Sequence, residues 1–224
     1  MAQRLASLAR ELQSEHGVSD TAQVVCEAAV AWVGDHVHAG VTLAHRHRRL
    51  ETAAASSDLV RRGDELQYEL REGPCVDAAR DHERIYCRDL REERRWPAWA
   101  PRVVDELGFR SMFCIRLFTN EETLGALNLY AREVGAFDES AQDDAIAIAA
   151  HAAVAVASAQ EIETLSVAVD RRTTIGKALG IVMERYQVGD DQAFRLLTRL
   201  SSQGNRKVYA IAEELVRGGR LPEV

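Results

Sequence analysis

Leu5, Leu8 and Leu12 recur at helical spacing, as do Val24, Val25, Ala28, Ala29 and Trp32, so two helices are predicted near the start of the chain. Five short runs with strand character follow, at 40–43, 50–54, 85–87, 111–118 and 123–130. The last two flank the polar segment Thr119-Asn120-Glu121-Glu122 and read as an antiparallel hairpin. Gly63, Gly73-Pro74, Trp96-Pro97 and Gly108 punctuate the region between, with further helix predicted over 76–82 and 101–107. Strands framed by helices at both ends indicate an α+β fold, one antiparallel sheet covered on a face by the terminal helices.

From Asp138, a suitable N-cap, no proline occurs until Pro222, and 139–186 contains only Gly176 and Gly180. A single helix over that stretch would be about 70 Å long. Ile162, Leu165, Val169, Arg172, Gly176, Leu179 and Met183 follow a 3-4 spacing along it. Such a stripe fits a dimer seam over 162–169 and an internal core stripe at Leu179 and Met183. Two shorter helices are predicted after it. One starts at Asp190, faces inward through Phe194, Leu197 and Leu200, and stops at Gly204; the next is capped by Asn205, faces inward through Val208, Ile211, Ala212 and Leu215, and ends at Gly218-Gly219. Three helices with matched apolar stripes make a small bundle. The expected boundary lies inside the long helix, giving domains at 1–165 (core about 20–160) and 166–220.

The charge is uneven along the chain. The net charge of −7 argues against a nucleic-acid partner for the chain as a whole. From Asp170 onward, however, ten basic residues face seven acidic ones, leaving a tail of +3 on a body of −10. That tail allows a phosphate-bearing partner and the body discourages one. The longest near-apolar run, 145–157, is alanine-rich and interrupted by His151. A bilayer span needs about 20 residues, so no membrane segment is expected. Residues 1–10 carry Arg4 and Arg10 but no apolar stretch of a signal peptide, and a cytoplasmic location is expected. Cys26, Cys75, Cys87 and Cys114 have neither CxxC pairing nor zinc spacing.

No phosphate-binding glycine loop, nucleophile elbow or zinc-protease motif is present in the sequence, and the chain is not expected to be an enzyme. The pairs His36/His38 and His45/His47 sit at i, i+2, conceivable for a metal but better read as solvated beside Arg46, Arg48 and Arg49. Glu92–Arg95 reads as a solvated charge run, with Trp96 and Trp99 in the core. Cys75 follows Gly73-Pro74 ahead of a helix; it is either a small buried residue or a thiol activated at that helix start. Asn205-Arg206-Lys207 places two cations in the predicted first turn of a helix, where the dipole opposes them and an external anion would suit them. Gly176 and Gly180 share one helix face, where something must approach closely, a neighbouring helix or RNA. No cofactor is expected.

The run Ile175-Gly176-Lys177-Ala178-Leu179-Gly180-Ile181-Val182-Met183-Glu184-Arg185, then Asp191-Gln192-Ala193-Phe194 with Leu197, and Asn205-Arg206-Lys207-Val208 with Ile211-Ala212, resembles the ANTAR family of transcription antitermination regulators (AmiR and NasR). The family's usual Ala-Lys-Gly reads Ala178-Leu179-Gly180 here, with Lys177 one position earlier. Upstream, Glu72-Gly73-Pro74-Cys75-Val76-Asp77-Ala78, Arg95-Trp96-Pro97, Leu107-Gly108 with Arg110-Ser111, Leu124-Gly125-Ala126-Leu127-Asn128-Leu129-Tyr130 and Gly135-Ala136-Phe137-Asp138 resemble a bacterial GAF domain. The order is similar to that of actinobacterial sensors that join the two. This resemblance implies a homodimeric, GAF-controlled regulator that binds paired stem-loops in an mRNA leader and favours an antiterminator. It implies RNA contacts from Lys177, Arg185, Asn205, Arg206 and Lys207, with Arg171 and Arg172 beside them, and for the GAF domain either an unknown small-molecule ligand or partner or a dimerisation role without a ligand. Asn128 is followed by Leu129, which departs from the cyclic-nucleotide GAF signature. Two alternatives remain open: a DNA-binding regulator, and a GAF-type thiol enzyme that reduces free methionine sulfoxide with Cys75, resolved by Cys87 or Cys114.

Overall fold

The computed structural model describes residues 2–15, 17–45, 49–78, 83–119 and 122–220. Its elements run α1 (Ala2–Ser14), α2 (Val18–Val33), β1 (Val37–His45), β2 (Arg49–Ala55), α3 (Asp58–Leu70), α4 (Pro74–Ala78), β3 (Arg84–Cys87), α5 (Trp99–Arg102) with a π-helical turn at Val103–Leu107, β4 (Ser111–Phe118), β5 (Thr123–Ala131), α6 (Glu139–Tyr186), α7 (Asp190–Gln203) and α8 (Val208–Gly218). The chain divides into two units between Glu161 and Ile162, inside α6.

The first unit is built on one antiparallel sheet of order β2-β1-β5-β4-β3. Alternation along the strands sends side chains to opposite faces. Val41, Leu43, Phe113, Ile115, Leu127 and Leu129 pack with Leu8, Leu12, Val25, Ile148 and Val156 of α1, α2 and α6. Met112, Cys114, Ala126 and Tyr130 point the other way and pack with Val60, Leu66, Trp99 and Phe109. The terminal helices therefore cover one face as the pattern predicts, and α3–α5 cover the second. Gly125 is where β5 comes tightest against β1, since a Cβ there would stand 1.8 Å from the Thr42 carbonyl oxygen.

Helix α3 is the element that periodicity does not find. Gly63, read from the sequence as punctuation, lies inside it, and its carbonyl accepts the Trp99 indole N–H at 3.1 Å. Besides Val60 and Leu66, α3 buries Gly63, Asp64 and Gln67, so polar positions fall on its core face. The helix predicted over 76–82 is seen as Pro74–Ala78; residues 79–82, and Asn120 and Glu121 of the hairpin turn, lie outside the described residues.

Asp138 caps α6, accepting the Ala141 N–H at 2.8 Å. One 18-residue stretch of α6 has a mean hydropathy of 1.5, so by length and composition the helix passes for a membrane span, which counting consecutive apolar residues does not register. Ala145, Ile148, Ala149, Ala152, Ala153, Val156 and Ala159 are instead buried in the core of the first unit, which accounts for that hydropathy. Further along, Ile162, Leu165 and Val169 are 53%, 58% and 63% exposed.

In the second unit, the end of α6 packs with α7 and α8 around Ala178, Val182, Ala193, Leu197, Ile211, Ala212 and Leu215. Four details correct the sequence reading. Phe194 is 47% exposed rather than inward, because α7 turns Ala193 and Leu197 to the core. Met183 is exposed while Val182 takes the core position. Asn205 adopts a left-handed φ of 47° in the loop, and Lys207, not Asn205, is the N-cap of α8. Finally, a Cβ at Gly176 or Gly180 would meet nothing within 4 Å, so none of the described helices packs on either.

Candidate nucleic-acid interface

Arg171 stands over the Tyr209 ring near the start of α8, 5.7 Å from the centroid. Fourteen residues on, Arg185 Nη1 donates to the Gly219 carbonyl just past the end of α8, at 2.6 Å. Two contacts at opposite ends of α8 mean that α6 and α8 run side by side in the same direction. Lys177 lies between them, exposed, and together with Gly180, Ile181, Glu184, Arg185 and Val216 lines an open cleft of about 650 Å³. Lys177 and Arg185 therefore stand in the cleft itself, and Arg171 lies against the start of α8, about 21 Å from Arg185 along the helix at 1.5 Å per residue. Leu179, where the ANTAR pattern usually has lysine, packs on the bundle core.

Asn205, Arg206 and Lys207 occupy the turn before α8, not its first helical turn, so the helix-dipole penalty expected from the sequence does not apply to Arg206. Its guanidinium pairs with Glu214 at 2.6 Å, its N–H donates to the Ser201 carbonyl at 3.0 Å, and its carbonyl accepts from Ser201 Oγ. Arg172 and Lys207 are exposed and make no ion pair among the described residues. Sequence patterning does not single out Glu184, Tyr186 or Phe194. Glu184 lines the cleft, and the two aromatic rings are about half exposed. Hydrophobic periodicity assigns Phe194 to the core, and nothing in the pattern marks a lone glutamate.

The first unit carries a second concentration of polar chemistry under its sheet. Asp64 is fully buried and accepts from Tyr130 OH (2.7 Å) and Asn128 Nδ2 (3.0 Å) at Oδ1, and from Thr52 Oγ1 (3.3 Å) at Oδ2. Gln67 Nε2 donates to Tyr130 OH (2.8 Å) and to Asp64 Oδ1 (3.5 Å), and Gln67 Oε1 accepts the Cys75 N–H (2.8 Å). The Tyr68 hydroxyl joins Thr42 and Thr52 at 2.7 and 2.8 Å. Among the described residues no cation bonds to the carboxyl. Burial pushes it up to about 6 against the pull of Tyr130, Asn128 and Thr52. Asn128 Oδ1 is buried without a hydrogen-bond partner among the described residues.

All four cysteines are reduced and buried. Burial pushes the Cys26 and Cys87 thiols up to about 12, and that of Cys114 well above its usual range. A reactive cysteine needs exposure and thiolate character; Cys75 has no exposed surface. Of the histidines, His38 hydrogen-bonds Ser57 Oγ at 3.2 Å and meets the Phe109 ring edge-on, and His45 pairs with Glu51 at 3.2 Å. Arg46, His47 and Arg48 lie outside the described residues. Among the described residues no group of three or more His, Cys, Asp or Glu is placed to hold a metal ion. In the charge run, Arg95 donates to Glu93 at 2.9 and 2.5 Å and holds its carboxyl down at about 2. Trp96 and Trp99 are buried beside it.

Family models match twice: the GAF domain over residues 15–157 and the ANTAR domain over residues 163–216. No curated protein matches the chain in sequence. The first unit is similar in fold to the GAF domain of a Coxiella burnetii phosphoenolpyruvate-protein phosphotransferase (TM-score 0.55, 16% identity, covering 73% of this chain and 96% of that one). It is likewise similar to the corresponding Acinetobacter GAF domain (TM-score 0.54, 12% identity, 73% and 96% covered). The Staphylococcus aureus fRMsr in its reduced form has a TM-score of 0.52 at 13% identity, with 69% and 94% covered. At these identities the solved structures report the fold alone. Order and extent of the two family matches decide the rest: the chain belongs to the GAF-ANTAR family of transcription antitermination regulators.

Proposed function

We propose that the α6–α8 bundle binds paired stem-loops in nascent mRNA and favours an antiterminator over a terminator hairpin. The observation that carries this reading is the short line of cations on this bundle, Lys177 and Arg185 in the α6–α8 cleft and Arg171 against the start of α8, in a +3 segment of a chain whose remainder is −10. Such a line suits phosphates, and sequence specificity then comes from bases splayed out of the loops. Arg172, Asn205, Arg206 and Lys207 add contacts from the bundle surface and the turn before α8. The RNA-binding domain extends over 166–220 and the sensor over 1–165.

Two stem-loops ask for two bundles. Exposed Ile162, Leu165 and Val169 at 3-4 spacing support a homodimer through α6, since burying their exposed half in a seam would contribute about 1–2 kcal/mol per side chain. The GAF unit biases the helix pair through an unidentified small molecule or partner, which requires unequal affinity for two helix arrangements. Buried thiols with raised pKa values support a regulator without enzymatic activity, and nascent mRNA as the partner places the protein in the cytoplasm. Sedimentation of the full chain with RNAs carrying two adjacent stem-loops tests the reading. Two chains per RNA is the expected stoichiometry; one chain per RNA, or no complex, contradicts it.

A further inference from the structure

The α6–α8 cleft contains a residue that phosphate binding does not explain. Glu184 stands between Lys177 and Arg185 in the cleft lining, and its carboxylate makes no hydrogen bond or ion pair among the described residues. A free carboxylate repels phosphate, so in a cleft lined with cations it lowers the affinity that those cations provide. The floor is equally specific: Gly180 leaves open space where a Cβ would be, and Ile181 and Val216 present apolar surface beside it. The helix-interior glycine costs nearly 1 kcal/mol relative to alanine, and none of the described residues occupies the space it leaves.

We propose that the cleft seats one unpaired guanine from an RNA loop and that Glu184 is the residue that reads it. The inference rests on the RNA-binding reading above and names what that site recognises. A carboxylate only accepts hydrogen bonds, and it does so best in pairs, through both oxygens. Among the four RNA bases only guanine offers two adjacent donors on one edge, N1–H and the N2 amine. Adenine and cytosine offer one amine there, and uracil one imino N–H. In a stem that guanine edge is occupied by its pairing partner, so the base must come from a loop. The base plane lies on the bare Gly180 surface against Val216, while Lys177 and Arg185 hold the phosphates on either side. Arg185 is aimed for this by its bond to the Gly219 carbonyl.

The test uses the full chain and a pool of RNAs with two adjacent stem-loops and randomised loops, selected in parallel on wild type and on Glu184→Gln. Wild type is expected to enrich RNAs with guanine at a fixed loop position, and the variant to lose that preference while retaining binding. Replacing the enriched guanine by inosine, which lacks the N2 amine, then weakens wild type roughly tenfold and the variant little, the size of discrimination a bidentate base contact gives. Glu184 is exposed, and matching thermal unfolding of the two proteins checks that the substitution leaves the fold intact. Gly180→Ala, which fills the floor, should weaken the same RNA. If wild type enriches RNAs without a fixed guanine, or the variant keeps the guanine preference, the assignment of Glu184 is overturned and RNA binding stands. If wild type enriches no RNA, the RNA-binding reading fails and this inference fails with it.

Discussion

Replacing Asp64 by asparagine should change how stability depends on pH, by an amount the structure sets. The carboxyl is fully buried, has four hydrogen-bond donors and, among the described residues, no bonded cation, and titrates at about 6 instead of 3.8. Its folded pKa is raised, so between these values the native state binds more protons than the unfolded chain, and stability falls as pH rises. The contribution is fully present below pH 3.8 and is lost as pH passes 6. A shift of about two units corresponds to about 3 kcal/mol, of which about two-thirds falls between about pH 4.5 and 7.5. Asparagine keeps an oxygen for Tyr130 and Asn128 and carries no charge. Ion pairs such as Asp89–Arg110 and Glu93–Arg95 depress their carboxyls and work in the opposite direction, but they are common to both proteins and cancel in the difference. Trp32, Trp96 and Trp99 all lie in the first unit, so urea unfolding followed by tryptophan fluorescence reports on that unit. Wild type should lose about 2 kcal/mol relative to Asp64→Asn over that interval. Parallel profiles would refute the claim that a charged Asp64 is held against its preference at neutral pH.

Three further outcomes are expected. If the proposed dimer forms through α6, Leu165→Glu should convert it to a monomer in light scattering, without loss of helicity, because Leu165 is exposed in the single chain; an unchanged mass would exclude that face as the seam. Gly125→Ala should destabilise the first unit by at least about 1–3 kcal/mol in urea unfolding, because the added Cβ meets the Thr42 carbonyl at 1.8 Å. A thiol reagent should label none of the four cysteines of the native protein quickly and all four after unfolding; rapid labelling of Cys75 would reopen the thiol-enzyme alternative.

Much of the fold is legible in the chain because its central strands, covered on both faces, read as near-continuous apolar runs. The pair β4 and β5 shows to within one residue of its limits, and α6 begins after its Asp138 cap and ends ahead of the helix that starts at Asp190, as the sequence suggests. Helix α3 is hidden for a physical reason. Its core face carries Gly63, Asp64 and Gln67, residues that mark a turn or a surface by composition, and only the network with Asn128 and Tyr130, more than sixty residues away, makes them interior. In the bundle, the motif run 175–185 identifies the right helix, but which cations converge depends on how α8 lies beside α6, and that is a tertiary fact. Phe194 misleads because apolar character predicts burial, while on a surface that meets nucleic acid an exposed ring is useful for stacking. Asn205 misleads because a good N-cap residue is equally suited to a left-handed turn.

The central claim is that the α6–α8 bundle recognises structured RNA. It is tested most directly by titrating the full chain at fixed salt against three probes: an RNA with two stem-loops selected by the protein, the same RNA with one loop scrambled, and a DNA duplex of equal length. Lys177→Ala and the pair Arg206→Ala/Lys207→Ala are run beside wild type. The account predicts preference for the intact RNA, weakened in both variants, with a salt dependence shallower by about one for each phosphate contact removed. Equal affinity for all three probes, or variants that bind as wild type does, would contradict it.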